Sequence, residues 1–235
     1  MTDGTAVGPH RLDVAVRSTA EAILQRLDGE AARLRSLDGS GPGGNDVAVT
    51  VAAVRVLGAD VLAPCALLGQ RLDPVDHGLV TAALRCFPPG PDPLPVDRWL
   101  HWGLARAMVE AGVGDVERRD VEQPGVRWVA DLPWPVLGRQ VAHLAALAVP
   151  GTARQLVAAV RGRAPDLARG CVRALLRRDW LQAAGCCRWL ALLGDPVPSL
   201  GLVAALAHLE QAARDDPRTL LHVRIARMLG AEVGP

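Results

Sequence analysis

The chain has 235 residues and a formal net charge of +1; 22% of the residues are charged and half are hydrophobic. This composition excludes a disordered chain, and the small net charge gives the molecule no overall attraction to nucleic acid or to an anionic membrane. All 26 basic residues are arginine, which excludes Schiff-base catalysis by lysine and any phosphate-binding loop that depends on a lysine.

The N-terminal sequence and the cysteines predict the compartment. Residues 1–10 lack a basic segment followed by an apolar one, so we expect no signal peptide. No apolar run reaches the roughly 20 residues that a membrane-spanning helix requires. The odd number of cysteines lacks the spacing of a disulfide framework: Cys65, Cys86, Cys171, Cys186 and Cys187. We therefore expect a soluble cytoplasmic protein with reduced thiols.

The first predicted element covers residues 12–37. Its apolar side chains recur at helical spacing, which predicts one long amphipathic helix, or two helices joined at Asp28-Gly29. Arg26 is expected on the polar face of this helix. A flexible connection is predicted at 39–44, because glycine frees the backbone and proline stops a helix.

Further helices are predicted on both sides of a proline-rich stretch. Residues 46–69 are nearly all apolar and predict two buried helices, and Asp73-Pro74 begins another helix that ends before Pro88. Five prolines lie within 88–95, and each removes a backbone hydrogen-bond donor, so this stretch predicts an extended linker. A helix is predicted again over 97–112.

The proline-rich linker, taken as 88–96, divides the chain into an N-terminal helical region, 1–87, and a C-terminal helical region, 97–235. We expect the two regions to pack into one compact unit. Within the second region, 114–131 is the least helical stretch, and we favour a loop there over a short pair of strands.

Six helices of similar length follow, each bounded by proline, glycine or aspartate: 135–149, 152–163, 165–178, 180–193, 198–213 and 217–230. Few segments anywhere alternate polar and apolar residues. The predicted fold class is therefore all-α, with about ten helices packed as antiparallel pairs in a solenoid or an α/α bundle. The small residues of 183–187 predict a close approach between helices.

The segment 180–217 resembles a helix pair of the TPR or HEAT repeat families. Leu192-Leu193-Gly194-Asp195 lies where such repeats turn, and Asp216-Pro217 lies where they end. The unit is longer than the 34-residue TPR period, because its second helix begins late. The resemblance covers this segment alone, and it implies a scaffold that binds another protein.

Arginine is concentrated between residues 151 and 190, a stretch that contains eight arginines and only two acidic residues. Three of them, Arg169, Arg173 and Arg177, are four residues apart and therefore share one helix face. Guanidinium groups bind carboxylate and phosphate through two hydrogen bonds at once, so this face predicts a groove for an acidic peptide or a phosphate group. The alternative is a solvated helix face, which Asp166 in the first turn supports.

A second candidate surface is the cluster at residues 97–102, where Arg98, Trp99 and Trp102 are helical neighbours. Arginine stacks well on indole, so the cluster could bind a partner or border a pocket. The alternative is that both tryptophans belong to the hydrophobic core.

No motif of a known catalytic or metal site occurs: the sequence contains no His-Glu-x-x-His, Cys-x-x-Cys or Gly-x-Ser-x-Gly. An enzyme with this composition would depend on histidine and acidic residues for proton transfer. The weak catalytic candidates are four histidines, which could instead be hydrogen-bonded core or interface residues: His101, His143, His208 and His222.

These observations leave two hypotheses open. The first is a helical protein that binds a protein or an acidic peptide. The alternative is an enzyme, or the essential partner subunit of one, in a specialised biosynthetic pathway such as the lyase or cyclase step in maturation of a ribosomally made peptide. We expect no metal and no cofactor. We expect neither a membrane nor a nucleic acid as partner, since 140–161 departs from the spacing of a helix-turn-helix motif.

Overall fold

The computed structural model describes residues 8–34, 45–112 and 122–231, and these residues form an all-α fold. The predicted fold class is confirmed, and the described part of the chain contains no β-strand. The α-helices, in chain order, are α1 Pro9–Leu27, α2 Asn45–Leu57, α3 Ala63–Leu68, α4 Pro74–Cys86, α5 Pro95–Glu110, α6 Arg127–Asp131, α7 Trp134–His143, α8 Arg154–Arg161, α9 Ala164–Leu176, α10 Trp180–Leu192, α11 Leu202–Ala212 and α12 Pro217–Ala231. Three short 3₁₀ turns lie at Gly58–Leu62, Ala145–Leu147 and Pro198–Leu200.

Local sequence signals place most helix boundaries. Proline begins α1, α4, α5 and α12, because its fixed φ suits the first turn and its missing N–H has no helical partner there. Aspartate caps three helices: Asp73 accepts the N–H of Val75 at 2.8 Å, Asp179 that of Gln182 at 3.2 Å, and Asp216 that of Arg218 at 3.2 Å. The boundaries predicted from proline, glycine and aspartate therefore agree closely with α4, α9, α10 and α12.

The long first helix ends earlier than one interpretation predicted. Helix α1 stops at Leu27, where Gly29 takes a positive φ of 89°, and no second helix forms before Leu34. The positive φ of Gly29 takes the chain off the helix axis, and the segment after it is held by the Leu34 N–H, which donates to the Asp76 carboxylate at 3.3 Å. The expected glycine-rich connection at 39–44 lies outside the described residues.

The spacing of Arg26 predicted a place on the polar face of α1, and this prediction is wrong: the side chain lies in the core. Its Nη1 donates to Oδ2 of Asp76 at 3.1 Å, and both side chains are buried. Burial raises the pKa of Asp76, and the neighbouring Arg26 guanidinium opposes that rise. An ion pair 50 residues apart in sequence therefore fixes the end of α1 against α4.

Helix α10 lies at the centre of the packing. It contacts α7, α9, α11 and α12, and α1 packs against both α2 and α12. Contacts therefore join helices far apart in sequence, which is the arrangement of an α/α bundle; the solenoid alternative is not confirmed. One hydrophobic cluster contains residues from both the predicted N-terminal and C-terminal regions.

The proline-rich stretch contains no helix between Phe87 and Leu94, as predicted. Helix α5 begins at Pro95, two residues before the predicted start, because proline is accepted at the first helical position. Of the stretch predicted as a loop at 114–131, residues 114–121 lie outside the described part. Helix α6 forms a short helix at the end of this stretch, where a loop was predicted.

The segment Val47–Leu68 is long and apolar enough to cross a membrane, judged by length and composition alone. This corrects the expectation that no run reaches that length. Within the described residues it is the one segment that passes this test, and 56% of its apolar window is buried inside the protein. It also carries the buried side chain of Asp60.

Small residues bring three helices into backbone contact. Gly138 of α7 and Gly170 of α9 face each other so closely that a Cβ on either would lie 3.0 Å from the other Cα. Gly185 of α10 lies still closer to α7, since a Cβ there would be 2.7 Å from the carbonyl oxygen of Ala142. The predicted close approach at 183–187 is therefore confirmed, and Cys171 and Cys187 meet beside it with sulfurs 3.5 Å apart. All five cysteines are free, and burial raises the pKa of the Cys186 thiol.

Candidate functional site

A cleft of about 240 Å³ opens where the 3₁₀ turn Gly58–Leu62, α7, α10 and α12 meet. Its polar lining comes from residues far apart in sequence: Asp60, Arg139, His143, Asp179, Gln182, Arg218 and His222. Apolar side chains complete the walls, among them Leu100 of α5 and Leu181 of α10. Two of the four candidate histidines and two carboxylates are therefore brought together at one cleft.

A buried ion pair lies beneath this cleft. Arg188, fully buried in α10, donates from Nη1 to Oδ1 of Asp60 at 2.6 Å. The rest of the guanidinium donates to the backbone carbonyls of Ala148 at 3.3 Å and Ala146 at 3.5 Å. Because nearly every donor of Arg188 has an acceptor, the charge is stabilised away from water.

His222 joins this pair as a neutral ring. Its Nδ1 lies 3.2 Å from Nη1 of Arg188, which can only donate, so Nδ1 accepts and the ring proton lies on Nε2. Burial lowers the pKa of His222 to about 4, with Asp60 opposing the shift and Arg188 and Arg218 adding to it. The imidazole is therefore a hydrogen-bonding group and not a cation at neutral pH.

This neutral histidine makes stability depend on pH. The folded pKa of His222 lies below the ordinary value of 6.5, so its contribution is present above that value and is lost as the pH falls towards 4. Denaturant unfolding should therefore show a decrease of about 2 kcal/mol between pH 7 and pH 5. The His222→Asn variant, which keeps an acceptor, should reduce this decrease, and the exposed-site control His208→Asn should not. An unchanged profile in His222→Asn would contradict the assignment.

Two cationic side chains of the cleft have no acidic partner in the described part of the chain: Arg139 and Arg218. The Nε of Arg218 is buried and makes no hydrogen bond. His143 lies at the cleft surface, where partial burial and then the positive charge of Arg218 lower its pKa, opposed by Asp97. The cleft therefore presents two arginines that form no ion pair among the described residues, beside neutral imidazoles.

The other two candidate histidines lie elsewhere. His101 is half-buried, does not line the cleft, and has an Nδ1 without a hydrogen-bond partner; burial and the charge of Arg55 lower its pKa. His208 is exposed on α11 and packs edge-on against Trp180, with ring centroids 5.6 Å apart. Neither is placed with a carboxylate at a cavity.

Arg169, Arg173 and Arg177, which we call the arginine stripe, lie beside a second concave surface. This surface is an open groove of about 620 Å³ along α9. We call this the α9 groove; Trp134 and residues of the 197–200 segment form its other wall, and Arg169, Val172, Arg173 and Leu176 line it from α9. The side chains of Leu176 and Val172 are 80% and 44% exposed. The groove is therefore apolar and open to solvent, with two arginines of the predicted stripe along its edge.

The three stripe arginines differ in their contacts. Arg169 donates to Asp166 at 2.9 Å, and Arg173 lies over the ring of Trp134 at 5.8 Å. Arg177 is exposed just beyond the end of α9 and is not among the groove-lining residues. Arg177 therefore extends the stripe past the groove, and it has no acidic partner among the described residues.

Several of the other arginines between residues 151 and 190 do not belong to this surface. Arg188 is in the core, as described above, and Arg161 donates to the Leu193 carbonyl at 3.1 Å. Arg163 donates to the carbonyls of residues 129, 130 and 132 and to Asp166. These side chains fix loops to helices, which sequence spacing alone could not distinguish from surface exposure.

The cluster at 97–102 is divided between the core and the surface. Trp99 and Trp102 are buried and pack edge-on with centroids 5.1 Å apart, and Trp99 Nε1 donates to the Gly125 carbonyl at 3.3 Å. Both indoles therefore have the core position that the alternative interpretation described. Arg98 remains exposed, with Asp92 at 3.9 Å.

Comparison with protein-family models, with curated proteins and with solved structures found no match for this chain. Within 8–34, 45–112 and 122–231, no group of three or more histidine, cysteine, aspartate or glutamate side chains could hold a metal ion. Functional inference therefore depends on the geometry of the cleft and of the α9 groove.

Proposed function

We propose that this protein binds an acidic peptide segment of another protein in the α9 groove. The observation that carries the proposal is the combination of exposed Leu176 and Val172 with Arg169 and Arg173 along one open groove. Solvent-exposed apolar surface bordered by charge is characteristic of interaction sites. A peptide with alternating acidic and apolar side chains complements both features.

The positive charge of the arginines along and beyond α9 favours an acidic partner. Arg177 and Arg178 are exposed at the end of α9 and have no acidic partner in the described chain, while Asp166 is the acid nearest the beginning of the helix. An approaching carboxylate would meet several guanidinium groups and form charge-assisted hydrogen bonds. The apolar floor of the groove, formed by Val172 and Leu176, would then supply most of the binding free energy. The arginines would set the orientation of the peptide.

The proposal is tested by replacing Arg169, Arg173 and Arg177 together with glutamine. The probe is a short fluorescein-labelled peptide of glutamate and leucine, with binding followed by anisotropy at low and high salt. We expect the triple variant to lose at least about tenfold in affinity and most of the salt dependence. Stability should change by no more than about 1 kcal/mol, because these side chains are exposed.

The matched control removes three charges outside the groove, in the variant Arg71→Gln, Arg85→Gln and Arg127→Gln, all of exposed residues. It should bind the probe like the wild type. Equal losses in both triple variants would contradict a specific groove, and so would unchanged binding in the Arg169, Arg173 and Arg177 variant. A leucine-free polyglutamate probe should bind more weakly, since the apolar floor is then unused.

A second candidate function is catalytic: an enzyme or partner subunit that acts on a ribosomally made peptide, in a lyase or cyclase step. The observation that favours it is the meeting of His143, His222 and Asp60 at one cleft. Of these, His143 is the exposed neutral imidazole suited to proton transfer. Loss of product formation in His143→Gln, with groove binding intact, would favour this candidate.

A further inference from the structure

Arg218 is half-buried at the wall of the cleft, and its Nε is a buried donor without an acceptor in the described chain. Its backbone N–H donates to Asp216 at 3.2 Å, but its guanidinium has no ion pair, and the Nε is buried with no hydrogen bond in the described chain. Buried polar groups in native proteins nearly always have a partner. A buried Nε–H without an acceptor, on a side chain that lines a cavity, therefore indicates a ligand that supplies the acceptor.

Three of the acids at or beside the cleft already accept hydrogen bonds. Asp60 is paired with Arg188 at 2.6 Å, and Asp216 accepts from Thr219 Oγ1 at 2.5 Å and from the Arg218 N–H. Asp179 caps α10 by accepting from Gln182. Arg139, which also lines the cleft, has no acidic partner in the described residues. Neither Arg139 nor Arg218 forms an ion pair with these carboxylates, so both side chains can bind an added anion.

We propose that this cleft binds a small molecule with an apolar body and an oxyanion, either a carboxylate or a phosphate, held by Arg218 and Arg139. Guanidinium groups bind both anions through paired hydrogen bonds. His143, with a neutral ring, adds an N–H donor at the cleft surface. The apolar body would lie against Leu100 and Leu181.

The size of the cleft limits the ligand. Its volume of about 240 Å³ lies below the roughly 300–1,000 Å³ of sites for drug-sized molecules. A peptide chain or a nucleotide is therefore too large to be enclosed, and a compact metabolite is favoured. The cleft shares none of its lining residues with the α9 groove, so this inference is independent of the proposed peptide binding.

The test is a titration of the full chain with three probes: inorganic phosphate, hexanoate and its neutral analogue hexanamide. Ring ¹⁵N resonances of His143 and His222 are followed by NMR at constant ionic strength set with chloride. We expect saturable shifts of both rings with phosphate or hexanoate and none with hexanamide. Phosphate alone would identify a phosphate ligand, and hexanoate alone a carboxylate. Absence of saturation with both anions, or equal binding of hexanamide, overturns the proposal.

Variants locate the anion. Arg218→Gln should weaken anion binding by at least about tenfold, and so should Arg139→Gln, whose exposed side chain can be replaced without loss of folding. The matched control Arg85→Gln, at an exposed site outside the cleft, should bind like the wild type. The triple variant of Arg169, Arg173 and Arg177 should also retain anion binding. Anion binding in the cleft can therefore be tested separately from peptide binding in the α9 groove. Wild-type affinity in Arg139→Gln and Arg218→Gln overturns the assignment.

Discussion

Replacing Asp60 with alanine is expected to lower the free energy of unfolding by about 3–5 kcal/mol. The substitution would leave the guanidinium of Arg188, which is completely buried in α10, without its carboxylate partner at 2.6 Å. Backbone carbonyls of residues 146 and 148 would remain as acceptors, but the positive charge would have no counter-ion. Denaturant unfolding monitored by circular dichroism measures the loss.

Two control variants show whether the unpaired charge causes this loss. The double variant Asp60→Leu and Arg188→Met removes both charges and should lose much less than Asp60→Ala alone, because an apolar pair can replace a buried ion pair. The exposed pair of Asp28 and Arg224, at 2.9 Å, provides the comparison. Asp28→Ala should change stability by no more than about 1 kcal/mol. A similar small effect in Asp60→Ala would refute the role given to the buried pair.

The Gly185→Ala substitution should destabilise the fold by about 3 kcal/mol. A Cβ at Gly185 would lie 2.7 Å from the carbonyl oxygen of Ala142 in α7, and backbone atoms cannot move aside as the end of a flexible side chain can. Helices α7 and α10 would have to separate, which would also loosen the cleft between them. Thermal and denaturant unfolding both report the change.

Gly230 provides the matched control, since it lies on an exposed face of α12 and a Cβ there would meet no atom within 4 Å. Gly230→Ala should raise stability by roughly 0.5–1 kcal/mol, because alanine is the better helix former. The same chemical change thus has opposite expected signs at the two positions. Equal effects would show that backbone contact between α7 and α10 is not the determining factor.

Helix positions could be predicted from the sequence because their signals are local. Proline at the first helical position, an aspartate cap and a glycine after the last turn all act within a few residues of the boundary they define. Helix α4, between Asp73 and Phe87, and α12, beginning at Pro217, are examples. The small side chains around Gly185 likewise gave the close approach of α10 to its neighbours.

The candidate site could be predicted only in part. Periodicity placed Arg26 on a polar face and grouped Arg188 with surface arginines, because their partners Asp76 and Asp60 lie 50 and 128 residues away. Arg218 carried no signal by itself. A clue was present: Arg188 and Asp60 are isolated charges within otherwise apolar segments, and such charges are expected to pair when the segments are buried.

The contact of α1 with α12 has a consequence for synthesis of the protein. Arg224 of α12 donates to Asp28 beside α1 at 2.9 Å, and the two residues are 196 positions apart in sequence. During translation α1 can pack against α2 early, but the part of its surface that α12 covers stays exposed until α12 emerges. Long-range closure of this kind slows folding relative to helical proteins with local contacts. The nascent chain therefore exposes apolar surface for longer than a repeat protein of the same length, in which each repeat packs against its neighbour.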